Sequence, residues 1–134
     1  MSPGCFRPAA HFRAEQKRLA REGISSWSAV AALDDGALRR LAASGEASEA
    51  RLKRLRGQAR LIEQVGLSAE EAALLLHSGV PDRDALADAR PEQLLRQLGR
   101  FQRRFLGPDA SPLDLARALD WIRRARRATG RSPN

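Results

Sequence analysis

The chain is poor in the residues that most often carry chemistry or build sheets. Its 134 residues include one cysteine, Cys5, two histidines, His11 and His77, and no tyrosine. A single cysteine excludes an internal disulfide and any zinc cage made of thiolates. The two histidines lie far apart and neither falls in a metal-ligand spacing, so each reads as an ordinary helix residue. Valine, isoleucine and threonine total seven, against 43 alanines and leucines, which leaves too few β-favouring side chains for a substantial sheet. No apolar run approaches the ~18 residues of a membrane-spanning helix. Met1 to Ala10 carries neither the charged lead nor the apolar stretch of a signal peptide, and the expected compartment is cytoplasmic.

Enzyme signatures are missing as well. No Walker loop, no Gly-x-Ser-x-Gly and no paired glycines after a strand occur in the sequence. Cys5 has no nucleophile signature around it, and Glu70 and Glu71 sit side by side at a helix start, pointing in different directions. The expectation is a protein that is not an enzyme, with no cofactor, no metal and no small-molecule substrate.

What is present is a helical, strongly cationic chain. Hydrophobic residues make up 43%, enough to bury a core in one domain covering residues 1–134. Pro8 predicts the start of a first helix running to about Glu22, with Phe12 and Leu19 on one face and Gly23 as its stop. Ser25 or Ser26 can cap a short helix through Val30 and Leu33, and Asp34 or Asp35 another through Leu38 and Leu41. A longer helix follows Ser48, with Leu52, Leu55, Ala59 and Ile62 as its apolar stripe and Gly66 as its stop, while Leu61 and Val65 point to another side. Ser111-Pro112-Leu113-Asp114 predicts the last helix start, with Leu115, Ala118, Leu119, Ile122 and Ala125 buried and Trp121 at the apolar margin. Trp27 is also expected at the core rather than on a stacking surface. Residues 1–5 and 130–134 read as loose ends.

The second half echoes the first. A shift of 56 sets Leu19, Gly23, Ile24, Val30 and Leu38 on Leu75, Gly79, Val80, Leu86 and Leu94. Past Gly107-Pro108 a shift of 60 sets Leu55, Ala59 and Ile62 on Leu115, Leu119 and Ile122. The expectation is an all-α fold of two repeats, roughly residues 9–65 and 66–129, packed around one shared core. The repeated pattern Leu-x3-Gly-[Ile/Val]-x5-[Val/Leu], at Leu19 to Val30 and Leu75 to Leu86, resembles the helix-hairpin-helix superfamily. In particular it is similar to a bacterial family of tandem helix-hairpin-helix proteins catalogued only as a domain of unknown function. The resemblance covers roughly residues 12–126. It implies hairpin backbones that contact nucleic-acid phosphates in many members and serve only protein interaction in others.

A nucleic-acid-binding hairpin typically reads Gly-apolar-Gly, which lets backbone N–H groups approach a phosphate. Here the third position is Ser25 in one hairpin and Pro81 in the other. The first keeps its donors, so Gly23, Ser25 and Ser26 are candidate phosphate contacts. The second loses a donor at Pro81 and sets Asp82 and Asp84 beside the helix start, which favours capping.

Net charge is +8, with arginine outnumbering lysine 22 to 2. Residues 96–134 hold ten arginines against Asp109, Asp114 and Asp120, so the field belongs to the C-terminal third. Composition bias explains arginine over lysine but leaves unexplained why acids stop accompanying the bases. Arg96, Arg100 and Arg104 follow i, i+4, i+8 on one expected helix face, with Arg103 beside them. Like charges at that spacing destabilise a helix by about 0.2–0.5 kcal/mol per pair, strain an anion would relieve. Arg117, Arg123, Arg124 and Arg127 extend the basic surface on the last helix, and Lys53, Arg56 and Arg60 form a smaller stripe. Their structural alternative is a solvated face whose arginine stems cover apolar rings. Two partner classes stay open: nucleic acid bound through its phosphates, and an acidic protein bound on the same faces.

Overall fold

The structure, a computed structural model, describes residues 6–131. Cys5 and the stretches 1–5 and 132–134 lie outside the described residues. Among the described residues the chain forms nine α-helices and no strand. A 3-10 turn at Ala10–Phe12 precedes α1 (Arg13–Arg21), followed by α2 (Trp27–Ala31) and α3 (Asp35–Ala42). The first helix thus starts later than Pro8 suggests, because the tighter turn already delivers Phe12 to the core. Next comes α4 (Glu49–Arg60), which widens into a π-helical stretch at Leu61–Val65 and stops at left-handed Gly66. The second half contains α5 (Ala69–His77), α6 (Arg83–Ala87), α7 (Pro91–Gly99), α8 (Gln102–Leu106) and α9 (Leu115–Ala128).

Short polar side chains start most of these helices. Ser26, Asp34, Ser48, Ser68, Asp82 and Asp114 each accept the backbone N–H of the third residue on, a contact worth ~1 kcal/mol. Ser68 and Glu71 complete a reciprocal capping box. Helix ends repeat their chemistry too. At Gly23 (φ +76°) the Ile24 N–H donates to the Leu19 carbonyl at 3.0 Å and the Gly23 N–H to Ala20 at 3.0 Å. At Gly79 (φ +93°) the Val80 N–H donates to Leu75 at 2.9 Å and the Gly79 N–H to Leu76 at 3.2 Å. Both bonds require a positive φ at the glycine, which a side chain would penalise. The limits of α1 and α2 fall on those of α5 and α6 at the shift of 56. Helix α8 has no counterpart between α3 and α4.

One cluster of buried side chains runs through both halves, from Leu19, Leu38, Leu52 and Leu55 to Leu74, Leu86, Leu94 and Leu98. Helix α4 is its spine, packing against α2, α3 and α5, while α9 packs against α6 and α7. A Cβ on Gly57 of α4 would stand 2.9 Å from the Pro81 carbonyl, so the α5–α6 hairpin rests directly on the α4 backbone. Buried Glu15 of α1 accepts the Ser48 N–H at 2.9 Å, placing a carboxylate at the positive end of α4.

Four expectations change at the C-terminal end. Asp114, not Ser111, caps α9, and Leu113 drops into the core while its N–H donates to Gln102 at 3.0 Å. Leu115 then overhangs the start of the helix and is 46% exposed. Trp121 takes a place in the buried face with Ala118, Ile122 and Ala125. Nor are Gly130 and Arg131 loose: the Arg131 N–H donates to Arg126 at 2.7 Å, and its guanidinium pairs with Asp84 and Asp88.

Candidate functional site

The arginine stripe expected on one helix is divided between two. The helix breaks after Gly99, where Phe101 adopts φ −116°, ψ 0° and its N–H turns back to Leu98 at 3.0 Å. Glycine is a poor helix former, and the break brings Phe101 and Phe105 against His77 of α5, with ring centroids 4.4 and 5.1 Å away. Arg96 therefore stands on α7, Arg100 caps its end, and Arg103 and Arg104 lie on α8. All four are exposed. Among the described residues Arg96, Arg100 and Arg103 have no ion pair and no side-chain hydrogen bond. Arg104 lies over the Phe105 ring at 5.5 Å and has no carboxylate partner either.

The remaining basic residues split into free and engaged groups. Arg123 and Arg127 of α9 are exposed and unpaired among the described residues. Arg117 reaches Glu71 of α5 at 2.9 Å and covers the Trp121 ring at 5.5 Å, which staples α9 to α5. Arg124 pairs with Asp120 at 2.9 Å and donates to the Gly66 carbonyl at 3.2 Å. Arg126 donates to Ala87 at 3.2 Å.

On α4, Lys53 stands 3.9 Å from Glu49 and faces solvent. Arg56 and Arg60 are turned inward: both donate to the Leu33 carbonyl at 3.1 Å, and Arg60 also donates to Ala31 at 3.0 Å. They satisfy the Ala31 carbonyl at the end of α2 and the Leu33 carbonyl in the loop that follows. Burial, then the neighbouring Arg56 charge, lowers the Arg60 pKa. Arg56 also pairs with Asp35 at 2.8 Å, and that hydrogen bond and charge hold the Asp35 carboxyl below its usual range.

In the first hairpin, the Gly23 N–H closes α1 and the Ser26 hydroxyl is occupied by the Ala29 N–H at 3.1 Å. Ser25 remains exposed without a side-chain bond. In the second, Asp82 accepts the Ala85 N–H at 2.8 Å and acts as a cap.

The fold also assembles a group that sequence spacing does not reveal. Arg7, Arg54 and Arg104, from three distant parts of the chain, line one cavity between the 3-10 turn, α4, α5 and α8. No local motif links them, and only the tertiary packing brings them together. Among the described residues, no cluster of three or more His, Cys, Asp or Glu side chains is arranged to hold a metal ion. None of their helices is long and apolar enough to cross a membrane.

The family model described as a domain of unknown function (DUF4332) matches residues 10–128. The chain belongs to this family. The DUF4332 match begins at the 3-10 turn and ends with the last residue of α9, so it includes both hairpins and every exposed arginine described above except Arg7. No curated protein and no solved structure matches the chain.

Proposed function

We propose that this DUF4332 protein is a non-enzymatic binding module that holds the phosphate backbone of nucleic acid without reading its sequence. The observation that carries the reading is the set of exposed guanidinium groups along α7 and α8 that have no carboxylate partner among the described residues: Arg96, Arg100, Arg103 and Arg104. Of the acids nearby, Asp114 serves as a cap and Asp120 pairs with Arg124, which leaves the exposed Glu92 and Asp109 against four arginines. Guanidinium groups without internal partners suit phosphate oxygens, which take paired N–H donors. Arg123 and Arg127 add exposed positive charge on α9.

Membership of the helix-hairpin-helix superfamily belongs to the same proposal. It is supported by the matched helix limits and the matched glycine closures at Gly23 and Gly79. Within it, the arginine surface carries the contact, and the Gly23–Ser26 hairpin contributes at most the exposed Ser25 and the backbone around it.

An acidic protein partner is the second reading, favoured by the half-buried Phe101, Phe105 and Leu106 beside the arginines. Aromatic residues together with arginine are enriched at protein interfaces. Fluorescence anisotropy with two duplexes of unrelated sequence, a single-stranded RNA and an acidic peptide of matched charge decides between them. Equal affinity for the two duplexes, well above that for the peptide, is the expected result. Binding of the peptide alone would transfer the function to the second reading.

A further inference from the structure

The cavity between the Ala10–Phe12 turn, α4, α5 and α8 has a volume of about 240 Å³ and an asymmetric lining. Its interior is apolar and aromatic. Phe12 and Leu76 are buried there, Phe105 is half-buried, and the His77 ring leans on Phe105. Three exposed arginines line it as well: Arg7, Arg54 and Arg104. None has an ion pair or side-chain hydrogen bond among the described residues. Among the described residues Glu70 is the single carboxylate in the lining. Three positive charges against one leave an excess that no ion pair among the described residues offsets.

We infer that this cavity binds a nucleotide, its base within the apolar lining of Phe12, Leu76 and Phe105 and its phosphate across Arg7, Arg54 and Arg104. A planar base fits the aromatic lining, since every base offers a face for stacking. A phosphate fits guanidinium groups on one lining through paired, charge-assisted hydrogen bonds. The volume lies below the ~300–1,000 Å³ of sites that enclose a whole organic ligand, so the base enters and the phosphate stays outside among the exposed arginines. Glu70 accepts N–H groups from the edge of the base. Buried Gln58 donates its amide N–H to the Ala69 carbonyl at 2.9 Å, which leaves its amide oxygen as a second acceptor. Two acceptors suit guanine, whose edge carries an imino and an amino donor. The site is separate from the backbone-binding surface proposed above and shares only Arg104 with it.

Isothermal titration calorimetry of the full chain with GMP, guanosine, ribose 5-phosphate and inorganic phosphate tests the assignment. GMP is expected to bind, with guanosine and ribose 5-phosphate each weaker by about tenfold or more, since each lacks one half of the recognition. Arg54→Ala and Arg7→Ala should each weaken GMP by about tenfold at an unchanged unfolding temperature. Arg39→Ala, on the exposed face of α3 and outside this lining, should leave GMP binding as it is. Two exposed positions are used so that misfolding of one variant does not decide the outcome. No binding of GMP at millimolar concentration would overturn the inference. So would equal binding of GMP, ribose 5-phosphate and inorganic phosphate, or arginine variants that bind GMP like the parent. Duplex binding measured with Arg100→Ala and Arg103→Ala, which leave this lining intact, shows separately whether the backbone-binding reading stands.

Discussion

Replacing Gly57 by alanine sets two effects of opposite sign against each other. In an exposed helix interior, Gly→Ala stabilises by about 0.8–1.0 kcal/mol, because alanine gives up less backbone freedom on folding. At position 57 the added Cβ meets the Pro81 carbonyl at 2.9 Å, closer than real Cβ contacts come. The obstacle is backbone, and it is pinned on one side by buried Val80 and on the other by the Asp82 cap. Relief therefore means moving the α5–α6 hairpin away from α4. Overpacking of this kind costs about 1–3 kcal/mol, and the rigid obstacle puts the cost in the upper half of that range. The net expectation is a loss of about 1–2 kcal/mol, or a fall in Tm of roughly 4–8 °C. Gly99→Ala is the matched control, since a Cβ there meets nothing within 4 Å and should stabilise by up to about 1 kcal/mol. Urea denaturation of both variants reads the difference. Gly57→Ala as stable as Gly99→Ala would refute the close packing of the second hairpin on α4.

Two further outcomes follow from burial and charge. Leu98→Ala should cost about 2–5 kcal/mol, whereas Leu115→Ala, at the exposed start of α9, should stay within about 0.5 kcal/mol in the same denaturation assay. Asp35→Asn should lower Tm slightly at neutral pH. The folded pKa of Asp35 lies below its usual value, so its contribution is present above the unfolded pKa and disappears as pH falls through the folded one. Thermal melts at pH 7 and at acid pH should therefore show a gap between parent and variant that closes on acidification.

Local chemistry was the most legible part of the sequence. Ser26, Asp34 and Ser48 start helices where a short polar side chain precedes an apolar pattern, and Gly23, Gly66 and Gly79 end them, because caps act within a few residues. The Ser68-x-x-Glu71 box is an equally local signal, with Glu71 reaching back to the Ser68 N–H. The break at Gly99–Phe101 was less legible. An uninterrupted 3.6-residue pattern from Leu94 to Phe105 fits one helix, and the turn is stabilised by ring contacts with His77, a residue remote in sequence. Leu115 illustrates the same limit, since periodicity assigns a face but not whether a neighbour extends far enough to cover it. Arginine roles were least legible of all. Arg56, Arg60 and Arg117 look no different in sequence from Arg96 or Arg100, yet the first three hold carbonyls and a carboxylate inside the fold.

The salt dependence of duplex DNA binding tests the proposed function most directly. Four phosphates neutralised by Arg96, Arg100, Arg103 and Arg104 predict a log–log slope near about −3.6, a roughly 150-fold loss of affinity between ~50 and ~200 mM salt. The double variant Arg100→Ala, Arg103→Ala should reduce that slope by about 2 while leaving duplexes of unrelated sequence equally bound. Failure to bind duplex DNA at ~50 mM salt and micromolar protein, or a slope that the double variant leaves unchanged, would contradict the assignment of the α7–α8 arginines to the phosphate backbone.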